Sequence, residues 1–257
     1  QAMYLTAGLF AFHPLHREGT SLAAALGQVG RSRESASVEQ RFIALLGAEP
    51  ESLPAMLRLA AAAVVENDYT GGYAARYTSV VRITGPIDTR RYRPAARRPA
   101  RDEVVLGWIG SATTVAYLQL IADPLRRLAA RHPQLRVEVV GASQAPLPGI
   151  PVATRPWELD TEVEALQGFD IGLMPMPDDP WTRGKGGYKL LQYMAVGLPV
   201  VASPVGVNTQ IVAAGDNGFL ADSEARWEEH LERLVLDPEL RRRLGNRGRE
   251  LVEAEYS

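Results

Sequence analysis

The sequence predicts an α/β fold with a doubly wound parallel sheet, and three observations support this prediction. From Glu103 onward, short apolar runs alternate with amphipathic segments. A glycine-rich stretch leads directly into one of the helix-like segments, near Gly187. Hydrophobic and charged residues make up 46% and 23% of the 257 residues, which is ordinary for a soluble globular chain. Alternating strands and helices are typical of a parallel sheet with helices on both faces.

The predicted elements after Glu103 follow one another in strand and helix pairs. Strands are expected at Val104–Ile109, Leu135–Val140, Asp170–Met174 and Pro199–Ala202. Helices are expected at Thr114–Arg131, Gly187–Val196 and Thr209–Ala214, with a Pro-rich loop after the second strand.

The first hundred residues are less regular. Their candidate elements are helices at Val38–Leu46 and Leu53–Ala63 and a strand at Ser79–Ile83. A strand-helix-strand unit needs ~30 residues, so this region has room for about three. We therefore expect a partial N-terminal Rossmann-like domain in residues 1–84, which is either short or incompletely represented. The start at Gln1, without a methionine, agrees with the second alternative.

Residues 85–102 are rich in proline and arginine and show no apolar periodicity, which predicts an interdomain linker. The C-terminal domain then occupies residues 103–257. We expect the arginines of the linker to be solvated, with a role at a substrate or a membrane surface as the alternative.

Composition excludes several classes of site. The chain has no cysteine, which excludes disulfides, thiolate metal sites and cysteine nucleophiles and fits a reducing cytoplasm. The formal net charge is −2 and no long basic run is present, so we expect no nucleic-acid partner. The apolar stretches are shorter than the ~20 residues of a membrane helix.

The segment from Gly184 to Asn208 carries most of the predicted chemistry. If its helix starts near Lys185, then Lys185, Lys189 and Gln192 form one polar stripe. Two lysines in the first turns of a helix oppose the macrodipole, so an anion should offset them. A glycine-rich turn before a helix exposes backbone N–H groups, and this combination predicts a diphosphate site. A solvated lysine face is the alternative.

The same segment, GKGGYKLLQYMAVGLPVVASPVGVN, resembles the donor-site signature of the retaining "glycosyl transferases group 1" type of GT-B glycosyltransferases. The resemblance covers Glu103–Ser257, and the supporting motifs occur in the family's order. They are LGWIGS at Leu106–Ser111, GFDIGLMPMPDDPW at Gly168–Trp181, VGVNTQIVAAGDNGFLA at Val205–Ala221 and the terminal DPELRRRLGNRGRELVEAEYS. The resemblance implies a GT-B fold of two Rossmann-like domains.

Two positions depart from the family pattern. Many relatives carry two glutamates separated by seven residues, the first near the transferred sugar and the second bound to the nucleotide ribose. Gly184 and Gln192 occupy these positions. An amide can still bond ribose hydroxyls, whereas glycine cannot replace a carboxylate. The sugar contact must then come from backbone, from Lys185 or from elsewhere, and a branch of the family with GK…KLLQYMA makes this a variant pattern.

Three further places are predicted to contribute to the site. Carboxyl-end turns of a doubly wound sheet gather ligands, and the resemblance puts Gly110 and Ser111 at the donor phosphates. A second strand-to-helix turn is formed by Gly206, Val207 and Asn208, and its backbone N–H groups should face the same crevice. For Asn208, a plain helix N-cap is the alternative. His13 is expected beside the transferred sugar, because some GT-B enzymes place an N-terminal histidine there.

Other chemistry-bearing residues are expected to have structural roles. Trp157 and Trp181 flank a predicted strand and are interpreted as packing residues, with stacking on a base as the alternative. Asp178 and Asp179 lie in a Pro-rich loop and are interpreted as turn residues. No metal or other cofactor is expected, because GT-B enzymes do not generally need a bound metal.

The resemblance implies transfer of a sugar from a nucleoside-diphosphate sugar to an acceptor, with retention at the anomeric carbon. The acceptor is a glycan, a lipid-linked glycan or a small molecule, and the expected location is the cytoplasm, with the inner face of the membrane as an alternative. A degenerate GT-B protein that binds a sugar nucleotide or a partner enzyme, and a GT-B sugar-nucleotide epimerase, are the competing hypotheses.

Overall fold

The computed structural model describes residues 10–12, 62–83, 85–96 and 102–257. The chain divides into two compact units. Unit 1 comprises residues 1–85 and 179–186, and unit 2 comprises residues 86–178 and 187–257. The predicted helix at Val38–Leu46 and the predicted site residue His13 lie outside the described residues.

Unit 1 contains a small sheet. Its strands are β1 (Phe10–Phe12), β2 (Ala62–Val65) and β3 (Ser79–Arg82), and helix α1 (Asp68–Ala74) connects the last two. Strand β2 pairs antiparallel with β1 and parallel with β3. The predicted helix at Leu53–Ala63 is wrong at its end, because Ala62 and Ala63 belong to β2. Pairing with β3 and the following β-branched residues outweigh the helix propensity of alanine there.

Unit 2 contains a six-stranded sheet in which every pairing is parallel. Its strands are β4 (Val104–Ile109), β5 (Leu135–Val140), β6 (Val152–Arg155), β7 (Ile171–Met174), β8 (Val200–Ala202) and β9 (Gly218–Leu220). Their spatial order is β6-β5-β4-β7-β8-β9. This is the doubly wound order of a nucleotide-binding fold, in which the direction of winding reverses between the first and fourth strands, here β4 and β7.

Helices cover both faces of this sheet. After a 3-10 segment at Val115–Ile121 they are α2 (Ala122–Arg131), α3 (Glu162–Gln167), α5 (Tyr188–Ala195), α6 (Asn208–Ile211), α7 (Glu224–Leu236) and α8 (Pro238–Glu255). Helix α4 (Pro180–Arg183) belongs to unit 1. Apolar residues of α3, α5 and α6 pack in one core cluster, and those of α2 and α7 pack in the other. The predicted α/β doubly wound class is confirmed for unit 2.

The sequence-based elements differ from the structure in three ways. The predicted helix at Thr114–Arg131 is a 3-10 segment followed by α2. Strands β6 and β9 and helix α3 were not predicted, because each is short and lacks a clear apolar period. Helices α1, α4, α7 and α8 were not among the predicted elements either. Residues 86–96 of the predicted linker pack on unit 2, where Ile87 is buried and its N–H donates to the carbonyl of Tyr256 over 2.7 Å.

Candidate functional site

The strands at the winding reversal of unit 2 separate towards their carboxyl ends. Strands β4 and β7 pair only at Leu106–Ile171 and Gly107–Gly172. Beyond these pairs, the hydroxyl of Tyr193 accepts a hydrogen bond from the N–H of Ile109 at 3.1 Å and donates to the carbonyl of Leu173 at 3.2 Å. The side chain thus replaces backbone pairing where the strands part. Such a crevice is where doubly wound sheets bind ligands.

Tyr193 fixes helix α5 at this crevice. Its side chain is fully buried, and burial raises the pKa of its hydroxyl, so it remains a neutral hydrogen-bonding group. Its ring lies against Gly172, where a Cβ atom would be 2.5 Å from the ring. Glycine at this position leaves the space that the ring needs. The lysine near the start of α5 is therefore carried by a helix anchored directly to β4 and β7.

Lys189, the second residue of α5, is placed at the end of β4. Its Nζ lies 4.6 Å from the centroid of the buried indole ring of Trp108. A Cβ atom at Gly110 would lie 2.6 Å from the same Nζ. The aromatic face offers the ammonium a partial attraction, while the helix N-terminus favours negative charge. An anion bound here would gain from both the lysine and the helix.

Gly110 and Ser111, in the turn after β4, were both expected at the donor phosphates, and only Ser111 has a backbone N–H that is open to a ligand. The N–H of Gly110 donates to the carbonyl of Val140 at 2.9 Å, so it is used within the sheet and does not face a ligand. Ser111 is exposed, and no described residue accepts from its N–H. Its hydroxyl lies 2.7 Å from that of Thr113. Within the described residues, the N–H of Ser111 is therefore open to a ligand.

In the turn after β8, too, some backbone N–H groups are open to a ligand and others are bonded within the fold. Gly206 has a φ of +54°, a conformation that glycine adopts without strain. Within the described part of the chain, no group accepts from the N–H of Gly206 or of Val207. Asn208 differs from the prediction, because its N–H donates to the carbonyl of Val205 and its buried side-chain amide donates to the carbonyl of Ser203 at 3.0 Å. Asn208 therefore holds the turn, and Val207 is the residue at the N-cap.

Gln192 is buried and bonded within unit 2. Its amide Nε2 donates to Oε1 of Glu162 at 2.8 Å. No described residue donates to its amide oxygen. The amide nitrogen of Gln192, which was predicted to contact the ribose, therefore contacts the carboxylate of Glu162 instead. Only the amide oxygen of Gln192 is left for a ligand.

Glu162 is a buried carboxylate that the sequence analysis missed. It also accepts hydrogen bonds from the hydroxyl of Tyr92 and, at 2.9 Å, from the indole N–H of Trp157. Burial raises the pKa of the Tyr92 hydroxyl, with the bond to Glu162 as the next cause. The segment around Glu162 contains several acidic residues, and nothing in the pattern marked this one. Trp157, which is half exposed, is thus anchored by its polar edge.

Gly184 and Lys185 belong to unit 1 and precede α5, so the stripe of Lys185, Lys189 and Gln192 predicted for a helix that begins near Lys185 does not form. Gly187 has a φ of +74° and is the N-cap of α5, which starts at Tyr188, within one residue of the predicted helix at Gly187–Val196. Lys185 lies with its Nζ 5.0 Å from the ring of Trp181. Burial lowers the pKa of Lys185, and the nearby carboxylate of Asp179 opposes that change.

Asp179 has the structural role expected for it. Its carboxylate accepts from the N–H of Thr182 at 2.8 Å, and the hydroxyl of Thr182 accepts from the N–H of Asp179, which forms a capping box at the start of α4. Among the described residues, no group of three or more histidines, aspartates or glutamates is arranged to hold a metal ion.

Gly141 offers a test of how strictly the turn after β4 is held. Gly141 has a φ of +93°, and a Cβ atom there would lie 1.9 Å from the carbonyl oxygen of Gly110. We expect Gly141→Ala to lower the free energy of unfolding by about 2–3 kcal/mol, because backbone strain and a clash with backbone add.

The matched control is Gly149→Ala, since Gly149 has a φ of +77° with nothing within 4 Å of the added methyl group. Urea unfolding of both variants should show a loss of only about 1 kcal/mol for the control. Equal losses would mean that the close approach at Gly110 has no energetic effect.

Comparison with protein families gives two matches. The model for glycosyl transferases group 1 matches residues 160–251. The model for CRISPR-associated protein Cse2 matches residues 1–101, most of which lie outside the described residues. No curated protein sequence matches the chain.

Solved structures of glycosyltransferases share the fold. Sucrose-phosphate synthase from Thermosynechococcus elongatus is 20% identical with a TM-score of 0.62, over 90% of this chain and 62% of that one. The C-terminal domain of LpcC, a glycosyl transferase group 1 family protein from Francisella tularensis, is 19% identical with a TM-score of 0.52, over 66% and 98%. Anabaena HepE, in complex with UDP and glucose, is 13% identical with a TM-score of 0.64, over 91% and 77%.

The present chain thus spans less than two thirds of the synthase. At these identities the likeness concerns the fold, and the family match agrees with the strand order and the α5 segment. The chain therefore matches the glycosyl transferases group 1 model over residues 160–251, and its parallel α/β domain shares the GT-B type fold of these glycosyltransferases.

Proposed function

We propose that the chain transfers a sugar from a nucleoside-diphosphate sugar to an acceptor, with retention at the anomeric carbon. The observation that carries the proposal is the position of Lys189, whose ammonium lies at the end of β4 beside the winding reversal, against Gly110 and Trp108. A fixed cation at this place in the fold suits a diphosphate.

The diphosphate would be held by Lys189 and by the open N–H groups of Ser111, Gly206 and Val207. These groups are fixed before the substrate arrives, so they stabilise charge on the leaving diphosphate without reorganising. The acceptor hydroxyl attacks the anomeric carbon as the bond to the phosphate oxygen breaks, and the leaving phosphate takes the proton. This scheme needs neither a covalent nucleophile nor a metal ion. It also needs no pair of carboxylates, which agrees with Gly184 and Gln192 at the two positions where many relatives carry glutamates.

Two further observations support a sugar nucleotide as the donor. HepE, which shares the fold, was solved with UDP and with UDP-glucose. The amide oxygen of Gln192 has no donor among the described residues and is therefore suited to accept from a ribose hydroxyl. Within the described residues, no helix has the length and apolar character needed to cross a membrane. We place the reaction in the cytoplasm, with an acceptor that is a glycan, a lipid-linked glycan or a small molecule.

Sugar-nucleotide binding is the first test of this proposal. UDP-, GDP- and ADP-linked sugars are titrated while thermal unfolding is followed. A donor at a hundred times its dissociation constant should stabilise the protein by ~2.7 kcal/mol, which raises Tm by a few degrees. The same sugars without the nucleotide serve as the control and should produce no shift.

Turnover of the donor that binds then separates the competing functions. A sugar transferase consumes the donor faster when an acceptor is present and releases the nucleoside diphosphate. Conversion of the donor to its epimer without any acceptor would favour an epimerase. Binding without turnover across an acceptor panel would favour a degenerate protein, and no binding of any sugar nucleotide would contradict the proposal.

A further inference from the structure

Trp157 is a large aromatic residue that unit 2 leaves half exposed. It follows β6 by two residues, and β6 runs parallel to β5, so Trp157 lies at the edge of the sheet where the carboxyl ends of the strands meet. The residue is 48% exposed. An apolar ring of this size is more stable out of water. Because ligands bind at this edge of a doubly wound sheet, the exposed ring is placed where a ligand can cover it.

The polar edge of the Trp157 ring is fixed, although half of the residue is open to solvent. Its indole N–H donates to Oε1 of Glu162 at 2.9 Å. Glu162 is itself buried, accepts from the hydroxyl of Tyr92 and lies 3.6 Å from a guanidinium nitrogen of Arg91. The ring therefore loses little freedom when a ligand binds. Its one donor is used by Glu162, so it offers a ligand only its apolar surface.

The same carboxylate oxygen places Gln192 beside Trp157. Oε1 of Glu162 accepts from the amide Nε2 of Gln192 at 2.8 Å as well as from the indole N–H. The free amide oxygen of Gln192 is the group that suits a ribose hydroxyl. In a nucleoside the base is bonded directly to the ribose. An aromatic ring next to the ribose contact is therefore in the position that a base requires.

Trp157 also adjoins the turn that carries the proposed diphosphate site. A Cβ atom at Gly141 would lie 3.4 Å from the Cβ atom of Trp157 and 1.9 Å from the carbonyl oxygen of Gly110. A Cβ atom at Gly110 would in turn lie 2.6 Å from Nζ of Lys189. All of these residues belong to unit 2. The lysine, the amide oxygen of Gln192 and the indole ring thus match the phosphate, ribose and base of one nucleotide.

We infer that the exposed surface of Trp157 stacks on the base of the donor nucleotide. The inference rests on the proposed transfer from a nucleoside-diphosphate sugar, and it replaces the packing role that the sequence predicted for this residue. Stacking covers the apolar ring and uses no hydrogen bond of the base. Because every base has an aromatic face, Trp157 raises the affinity for UDP, GDP and ADP alike, and other groups select among them.

Trp157→Ala tests this inference by calorimetric titration. With whichever of UDP, GDP and ADP the wild type binds most tightly, we expect Kd to rise roughly ten- to a hundred-fold, the range for a lost stack between an aromatic side chain and a base. Inorganic pyrophosphate has no base, so its Kd should stay within about twofold of the wild-type value. Trp157→Phe keeps an aromatic ring but loses the bond to Glu162, and a rise of about two- to fivefold is expected.

Leu159→Ala is the matched control. Leu159 lies two residues further along the same loop and is 54% exposed, so its removal should leave the nucleotide Kd within about twofold of the wild-type value. Fluorescence provides a second measurement, because a stacked base quenches indole emission. Of the four tryptophans, Trp108 and Trp227 are buried. We expect saturating nucleotide to quench the wild type and to leave Trp157→Phe almost unquenched.

Three outcomes would overturn the stacking role of Trp157 while leaving the proposed function in place. They are an unchanged nucleotide Kd in Trp157→Ala, an equal weakening of nucleotide and pyrophosphate binding, and full quenching in Trp157→Phe. If the alanine variant does not fold, the phenylalanine variant decides through its quenching. A wild type that binds none of the three nucleoside diphosphates overturns the stacking role and the proposed function together.

Discussion

Replacing Lys189 by alanine is expected to lower kcat for sugar transfer by about a hundred- to a thousand-fold, the range seen when one charge-stabilising group is removed from a transition state. The lysine is held against Gly110 and Trp108 before any ligand binds, so its charge acts where the diphosphate leaves. Steady-state kinetics with the donor identified by thermal shift provide the measurement. Full activity of Lys189→Ala would contradict the mechanism.

Lys189→Arg is the matched variant for charge. It keeps the cation but replaces a compact ammonium by a planar guanidinium, so an intermediate rate is expected. The fold should survive both changes because Lys189 is only partly buried and the anchor of α5 is Tyr193. Unchanged thermal unfolding of the two ligand-free variants would separate a chemical effect from a structural one.

Because the chain contains few lysines, binding of a nucleotide at Lys189 can be measured directly. Lys185 and Lys189 are the only lysines; of 28 basic residues, the remaining 26 are arginines. Reductive methylation with ¹³C therefore labels two ε-amines, besides the terminal amine. We expect the resonance assigned to Lys189, through its loss in Lys189→Arg, to shift when UDP is added. A chain that uses arginine elsewhere and lysine only in this segment suggests that a compact cation is needed here.

The sequence predicted the sheet of unit 2 well for a physical reason. Strand β4 is a continuous apolar run buried on both faces, and β5 alternates apolar residues with Arg136 and Glu138, so both patterns are clear, and Val104–Ile109 and Leu135–Val140 agree with the structure residue by residue. Strand β6 lies at the edge of the sheet, where exposed positions interrupt the apolar run, so Val152–Arg155 gave no such pattern.

The turns after β4 and β8 were predicted from the sequence, whereas the hydrogen-bonding roles of several of their atoms were not. Sequence shows that Gly110 ends a strand, yet whether its N–H faces a ligand depends on Val140, thirty residues away. The helix predicted at Gly187–Val196 is found at Tyr188–Ala195, but the stripe that needed a start at Lys185 does not form, because GKGG does not reveal which glycine has a positive φ, and it is Gly187. The bond between Gln192 and Glu162 joins residues thirty positions apart, which no local period encodes.

The pairing of Gln192 with Glu162 predicts that restoring the family's second glutamate will harm this chain. In Gln192→Glu, a donor at 2.8 Å from the Glu162 carboxylate becomes a second carboxylate. Both groups are buried, so repulsion is weakly screened, and a hydrogen bond to a charge is lost as well. We expect the free energy of unfolding at about pH 7.5 to fall by about 1.5–3 kcal/mol, the range for a lost hydrogen bond to a charged group, because Glu162 keeps its bonds from Tyr92 and Trp157 and its ion pair with Arg91 at 3.6 Å.

The loss should depend on pH in a defined direction. Repulsion raises the pKa of the carboxyl introduced at position 192 above its value in the unfolded chain. A raised folded-state pKa means that the loss is absent below the unfolded value of ~4.3 and grows as pH rises through the folded one. Urea unfolding of the variant and the wild type between about pH 4.5 and 7.5 therefore should show a difference that widens with pH.

Gln144→Glu makes the same chemical change at an exposed position and should alter stability by no more than about 0.5 kcal/mol at any of these pH values. If Gln192→Glu were as stable as this control at neutral pH, Glu162 would have to turn away from position 192, and the hydrogen bonds it accepts from Tyr92 and Trp157 would not be holding it there. A wide difference would instead mean that glutamine is required at position 192 because the carboxylate of this site is already supplied by Glu162. In that case the glutamine at position 192, where the family has a glutamate, would be compensated by the carboxylate of Glu162, and the site would keep a carboxylate.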